Sequence, residues 1–222
     1  MAFQFIDFDT ETPSTTTSID LYSIEDPIRL KQFSDLFWEK GYLQLPNFFT
    51  VEEAEIITNI ATCFADLPET KYKWMKYYET KKNKKMLTRL EYFYKFADPF
   101  KKLVALKVKP FIQKIYGEKL HLFKDKLNWK LPGGGAFKPH QDQPAWSDFA
   151  PDRYINALFF VDKMTIENGC LQMAKDRMKD VLLEHDIING GHLKEEISEK
   201  LSWNYLVGGN RDLVLFDSYI PH

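Results

Sequence analysis

An α+β fold, a β-sandwich or jelly-roll carrying helices on one side, is predicted by three observations. Helix-capping signals concentrate in the first half of the chain. Short alternating apolar runs bounded by Gly and Pro turns fill the second half. No fixed-period repeat is evident, so a solenoid or propeller is not expected. At 222 residues and 44% hydrophobic, the chain has enough apolar material for one sizeable core.

The elements follow in order. Residues 1–20 include a Thr, Ser and Pro-rich stretch from Thr10 to Ser18 and read as a flexible N-terminal arm. Residues 21–222 read as a single domain, mainly helical over 21–118 and β-rich over 119–222. Asp26-Pro27 supplies a cap and a first-turn proline, and Gly41 stops the helix that follows. Tyr42-Leu43-Gln44-Leu45 alternates as a short strand. Thr50 and Glu53 form a capping box opening a helix to about Ala65.

The basic run Lys71 to Lys85 reads as a solvated helix face and loop, or as a lid over an anionic substrate. A helical region from about Asp98 to Tyr116 is expected to break at Pro110 and end at Gly117. Strands are then expected at Leu127–Leu131, Tyr154–Val161, Cys170–Met173 and Leu213–Phe216.

Composition excludes several function classes. Lys+Arg total 30 against 32 Asp+Glu, so the basic excess of a general nucleic-acid or membrane-surface binder is missing. No apolar run approaches the length of a membrane span, and Met1–Asp7 does not read as a signal peptide. Cys63 and Cys170 cannot make a disulfide framework, and a reduced, cytoplasmic setting is the expectation. On composition the chain reads as soluble, with no nucleic-acid or membrane partner; an oligomer is compatible with it.

The chemistry centres on Pro139-His140-Gln141-Asp142. In an extended segment residues i and i+2 point the same way, so His140 and Asp142 can address one point. Two histidines and one carboxylate make the facial triad of non-haem Fe(II), with positions left open for cosubstrate and dioxygen. His222, after the strand Leu213–Phe216, is the natural third ligand. On spacing alone, a histidine and an aspartate capping a loop after a strand is the slightly favoured reading. His121, His185 and His192 have no carboxylate two residues on, and read as surface or core histidines.

Three blocks in order resemble the phytanoyl-CoA dioxygenase family. They are Lys124–Gly135 running into Lys138–Asp142, Glu167–Gln172, and Asp212–His222. The resemblance implies a double-stranded β-helix core and an Fe(II)- and 2-oxoglutarate-dependent dioxygenase with His140, Asp142 and His222 as catalytic metal ligands. It implies hydroxylation of a small polar metabolite by O2, with release of succinate and CO2. The blocks and Thr88-Arg89-Leu90-Glu91 look most like the branch acting on 2-aminoethylphosphonate and its trimethylated analogue. Arg89 could then hold a phosphonate or carboxylate, and Trp146 a quaternary ammonium.

The family pattern also places a cosubstrate-clamping arginine and closing strands beyond the distal histidine. The chain is therefore expected to lack C-terminal strands of the barrel, to behave as a piece of a longer oxygenase, and to hold His222 poorly through fraying. In place of that arginine, Lys126 and Asn128 are the candidates for 2-oxoglutarate contact. They share a strand face with Lys124 and Lys130, which could equally be a solvated outer face. Two alternatives stand beside the oxygenase: an inactive metal- or ligand-binding jelly-roll, and a cupin-like metalloenzyme that does not use 2-oxoglutarate.

Overall fold

The computed structural model describes residues 22–149, 153–175, 180–186 and 191–222; the N-terminal arm expected over 1–20 lies outside them. Helix α1 (Pro27–Lys40) starts as its sequence dictates. The Asp26 side chain accepts a hydrogen bond from the Arg29 amide, and Gly41 closes the helix in the left-handed region. Strand β1 (Tyr42–Leu45) leads to α2 (Val51–Asp66), which opens with the reciprocal Thr50–Glu53 capping box.

The basic run is not helical: residues 71–74 are turn, and the rest belongs to a hairpin. The hairpin is formed by β2 (Met75–Lys81) and β3 (Lys84–Glu91), turned at Lys82 and Asn83, both with positive φ. Lys76 is buried in it. Its ammonium donates to the carbonyls of Ala65 (2.7 Å) and Leu67 (2.5 Å), closing the C-terminal end of α2, and burial depresses its pKa. The helical region beyond is not broken at Pro110. α3 (Asp98–Leu103) runs through a wide π turn at Val104–Val108 into α4 (Lys109–Tyr116). Pro110 falls in the first turn of α4, where a missing N–H is tolerated.

The remaining strands are short: β4 (Lys126–Asn128), β5 (Ile155–Phe159), β6 (Gln172–Ala174), β7 (His185–Asp186), β8 (His192–Leu193), β9 (Trp203–Tyr205) and β10 (Leu213–Asp217). β10 lies between β1 and β5, antiparallel to both, and all five of its residues are buried. Its alternation divides the interior. Leu213 and Leu215 join the large cluster under the helices with Phe37, Phe49, Phe111 and Ile115. Val214 and Phe216 face a second cluster with Phe160, Met173, Leu206 and Ile220. The candidate site opens on this second face.

A second sheet, β2-β3-β4, follows the same rule. Leu90, Leu127 and Trp129 pack into the large cluster. On the opposite face Arg89 pairs across from Asn128 and Tyr77, and Glu91 across from Lys126. Glu91, almost fully buried, accepts from Lys124 (3.0 Å), the Tyr77 hydroxyl (3.2 Å) and Arg89 (3.3 Å).

Candidate metal centre

One atom each from His140, Asp142 and His222 lies within 4.8 Å of the others, making a group that could hold a metal ion. The two imidazole rings are 4.3 Å apart, and their Nε2 atoms stand 3.7 and 3.9 Å from the Asp142 carboxylate. Each Nδ1 faces a backbone carbonyl: Lys138 at 2.9 Å for His140, Ile220 at 3.1 Å for His222. A carbonyl can only accept, so each Nδ1 carries the proton and each Nε2 turns a lone pair toward the carboxylate. Carbonyl-oriented imidazoles of this kind are the usual support of metal-ligating histidines. The donor set therefore fits a divalent first-row metal with two nitrogens and one oxygen.

His222 is not frayed. Its amide donates to the His140 carbonyl and its carbonyl accepts from the His140 amide, both at 2.9 Å. The neighbouring Pro221 carbonyl accepts from Ala174 of β6. Burial is the largest influence on the His222 imidazole and lowers its pKa to about 4, against the opposing pull of Asp142. His140 and Lys126 push the same way as burial. The imidazole is thus neutral at physiological pH, as metal ligation requires.

Asp142 is buried and accepts from the Asn156 side chain of β5 at 3.1 Å. Neither Asn156 nor the glutamines flanking Asp142 is marked by sequence spacing. Gln141 and Gln143 are both buried. The Gln143 carboxamide accepts from the Ser218 hydroxyl at 2.6 Å, and its amide donates to the Ser218 carbonyl. His185, read from sequence as an ordinary surface or core residue, accepts from the Gln141 amide at 3.3 Å.

The other expected site residues surround this group at different distances. Lys126 is exposed but close enough to influence His222, and Asn128 holds a buried side-chain oxygen with no hydrogen-bond partner. Arg89 lies over the Tyr77 ring, tied to Glu91. The Lys130 ammonium sits 3.8 Å over Phe137, whose ring is 6.2 Å from His140; burial lowers its pKa, with Lys126 and Arg89 adding to the effect and Glu79 opposing it. Trp146 is half-buried and packs against Tyr154 and Phe123, both ring to ring.

A helix-backed, jelly-roll-like assembly that brings two histidines and an aspartate to one point is the arrangement expected of the class of non-haem metal oxygenases. Residues 37–222 match the family Phytanoyl-CoA dioxygenase (PhyH), and the chain belongs to it. The enzyme is accordingly a dioxygenase. It is 34% identical to a 2-aminoethylphosphonate dioxygenase from Uncultured bacterium HF130_AEPn_1, over 83% of this chain and 71% of that protein. It is 30% identical to a methylphosphonate hydroxylase from Gimesia maris, over 85% of this chain and 71% of that one. The fold is shared with the epimerase SnoN, solved with Fe3+, alpha ketoglutarate and nogalamycin RO. There the TM-score is 0.67 at 14% identity, over 88% of this chain and 77% of the other. Among the described residues no helix is long and apolar enough to cross a membrane.

Proposed function

We propose that the protein is an Fe(II)- and 2-oxoglutarate-dependent hydroxylase of a small polar metabolite of the phosphonate class, working in the cytoplasm. The observation that carries the reading is the convergence of two carbonyl-oriented imidazoles and one buried carboxylate on a single point. In this reading His140, Asp142 and His222 hold the metal. When bound, iron with 2-oxoglutarate and O2 supplies the oxidising chemistry: one oxygen atom enters succinate as CO2 leaves, and the other enters the product hydroxyl.

The chain's own residues do the rest. Asp142 offsets part of the metal charge, and Asn156 holds its carboxylate toward the histidines. Lys126 and the Asn128 amide meet the cosubstrate, whose two carboxylates match a face where Arg89, Lys124, Lys126 and Lys130 outnumber Glu79 and Glu91. Arg89, braced by Glu91, takes the anionic end of the substrate in its planar fork. Trp146, four residues past Asp142, borders the substrate's other end. The names of the two relatives, one an aminophosphonate dioxygenase and one a methylphosphonate hydroxylase, support a phosphonate-class substrate.

The test is an anaerobic titration of Fe(II) and 2-oxoglutarate, followed by the visible iron-to-cosubstrate charge-transfer band, then succinate release with a panel of short phosphonates. The band is expected in the wild type and absent in His140→Ala and Asp142→Ala, with both variants folded. A band of equal strength in those variants would remove the assignment. Metal binding that is indifferent to 2-oxoglutarate would favour a cupin-like enzyme instead.

A further inference from the structure

The residue between the two adjacent ligands has a side chain that is fully employed. Gln141 is 2% exposed, and all the bonds of its carboxamide go to backbone. Its Nε2 donates to the carbonyls of Val181 (2.9 Å) and Tyr219 (2.6 Å), and its Oε1 accepts from the Leu183 amide (2.8 Å). Its own amide donates to His185 Nε2, and the opposite ring nitrogen of His185 is fixed by the Leu183 carbonyl at 2.7 Å. One side chain thus ties together three separate pieces of chain. These are segment 139–143 with His140 and Asp142, segment 217–222 with His222, and segment 181–185, which bears no metal ligand.

Few side chains could do this. Two donors and one acceptor, at the reach of a four-atom side chain, are what a glutamine carries; glutamate has no donor and asparagine is one methylene short. The segments that bear the metal ligands are joined directly at two places besides Gln141: the reciprocal backbone pair of His140 and His222, and the bonds of the Gln143 amide and carboxamide to Ser218. Both links run between the same two segments, and neither reaches segment 181–185. Gln141 bonds three residues upstream of His222 and also to Val181 and Leu183, so it braces both ligand-bearing segments against a third piece of chain.

We infer that Gln141, backed by His185, is a positioning residue for the metal centre. It sets the mutual angle of the three ligands without touching the metal. The inference rests on the metal-site reading above and goes beyond it, because it assigns work to residues 181–185, which contain no ligand.

Co(II), whose visible d–d bands report coordination geometry, is the probe. Gln141→Met keeps length and volume while removing the three carboxamide bonds. Loss of a supporting partner of this kind typically lowers metal affinity about 10–100-fold, and the bands should move in position and intensity. Lys76→Met removes two buried hydrogen bonds at the far end of α2. It should lower the unfolding midpoint while leaving Co(II) affinity and bands unchanged, which separates positioning from general destabilisation. His185→Ala removes the acceptor for the Gln141 amide, together with the bond of its ring to the Leu183 carbonyl, and leaves the carboxamide bonds in place. It should shift affinity and bands in the same direction by less, and it decides the matter if Gln141→Met does not fold. Wild-type affinity and bands in folded Gln141→Met, or in His185→Ala where that variant decides, overturn the inference and leave the metal site standing. A wild type that binds Co(II) no better than His140→Ala overturns the metal site and the inference with it.

Discussion

The buried His222 imidazole makes the metal-free protein acid-sensitive in a defined window. Its pKa is about 4 in the folded chain, against about 6.5 for a free histidine. Between those values the unfolded chain binds a proton that the folded chain refuses, so stability falls as pH drops from about 6.5 to 4 and is level above. A span of about two and a half pH units at about 1.4 kcal/mol each gives about 3 kcal/mol. With a urea dependence of about 2–3 kcal/mol/M, that moves the unfolding midpoint by about 1 M. The assay is urea unfolding with a chelator present, read by tryptophan fluorescence between pH 7 and 4.5. His222→Gln serves as the reference, so that carboxylate titrations common to both proteins cancel. The wild-type midpoint should fall through the window relative to the variant. Parallel curves would refute the burial argument.

Asp217→Asn removes one of the two carboxylate partners of Arg153 (2.7 Å; Asp180 is the other) at a fully buried site, and should cost about 2 kcal/mol, seen as a melting temperature lower by about 4–8 °C. Gly208→Ala would bring a methyl group to 2.7 Å from the Asp212 carboxylate and 2.9 Å from the Phe160 ring; denaturation should register about 1–3 kcal/mol of destabilisation. Thr50→Ala opens the capping box of α2 and should cost about 1 kcal/mol by the same measurement.

Local signals in the sequence were read with success where their physics is local. Asp26 with Gly41, and Thr50 with Glu53, mark helix ends because caps are made within a few residues. The β2–β3 hairpin was hidden because the one buried residue of β2 is a lysine, a type that periodicity counts as outward-facing; what could have revealed it is Lys82-Asn83 between the strand formers Tyr77, Tyr78, Thr80 and Met86, Leu87, Thr88. Pro110 misled because the π turn before it is a property of the packed helix and not of the tripeptide. His140, Asp142 and His222 were legible from spacing and resemblance together. Asn156, Gln141 and His185 were not, since their partners lie far along the chain and the residue types alone carry no such message.

The placement of β10 also bears on the order in which the molecule is built. Gln44 pairs with Val214, and His140 with His222, so the centre of the main sheet and the metal group both depend on contacts between distant parts of the chain. Such contacts carry the largest loop-closure cost and form late. A metal ion has no assembled site to bind in the unfolded chain; it can reward the finished fold but cannot seed it. Refolding rates should therefore be indifferent to added metal, while unfolding slows in its presence.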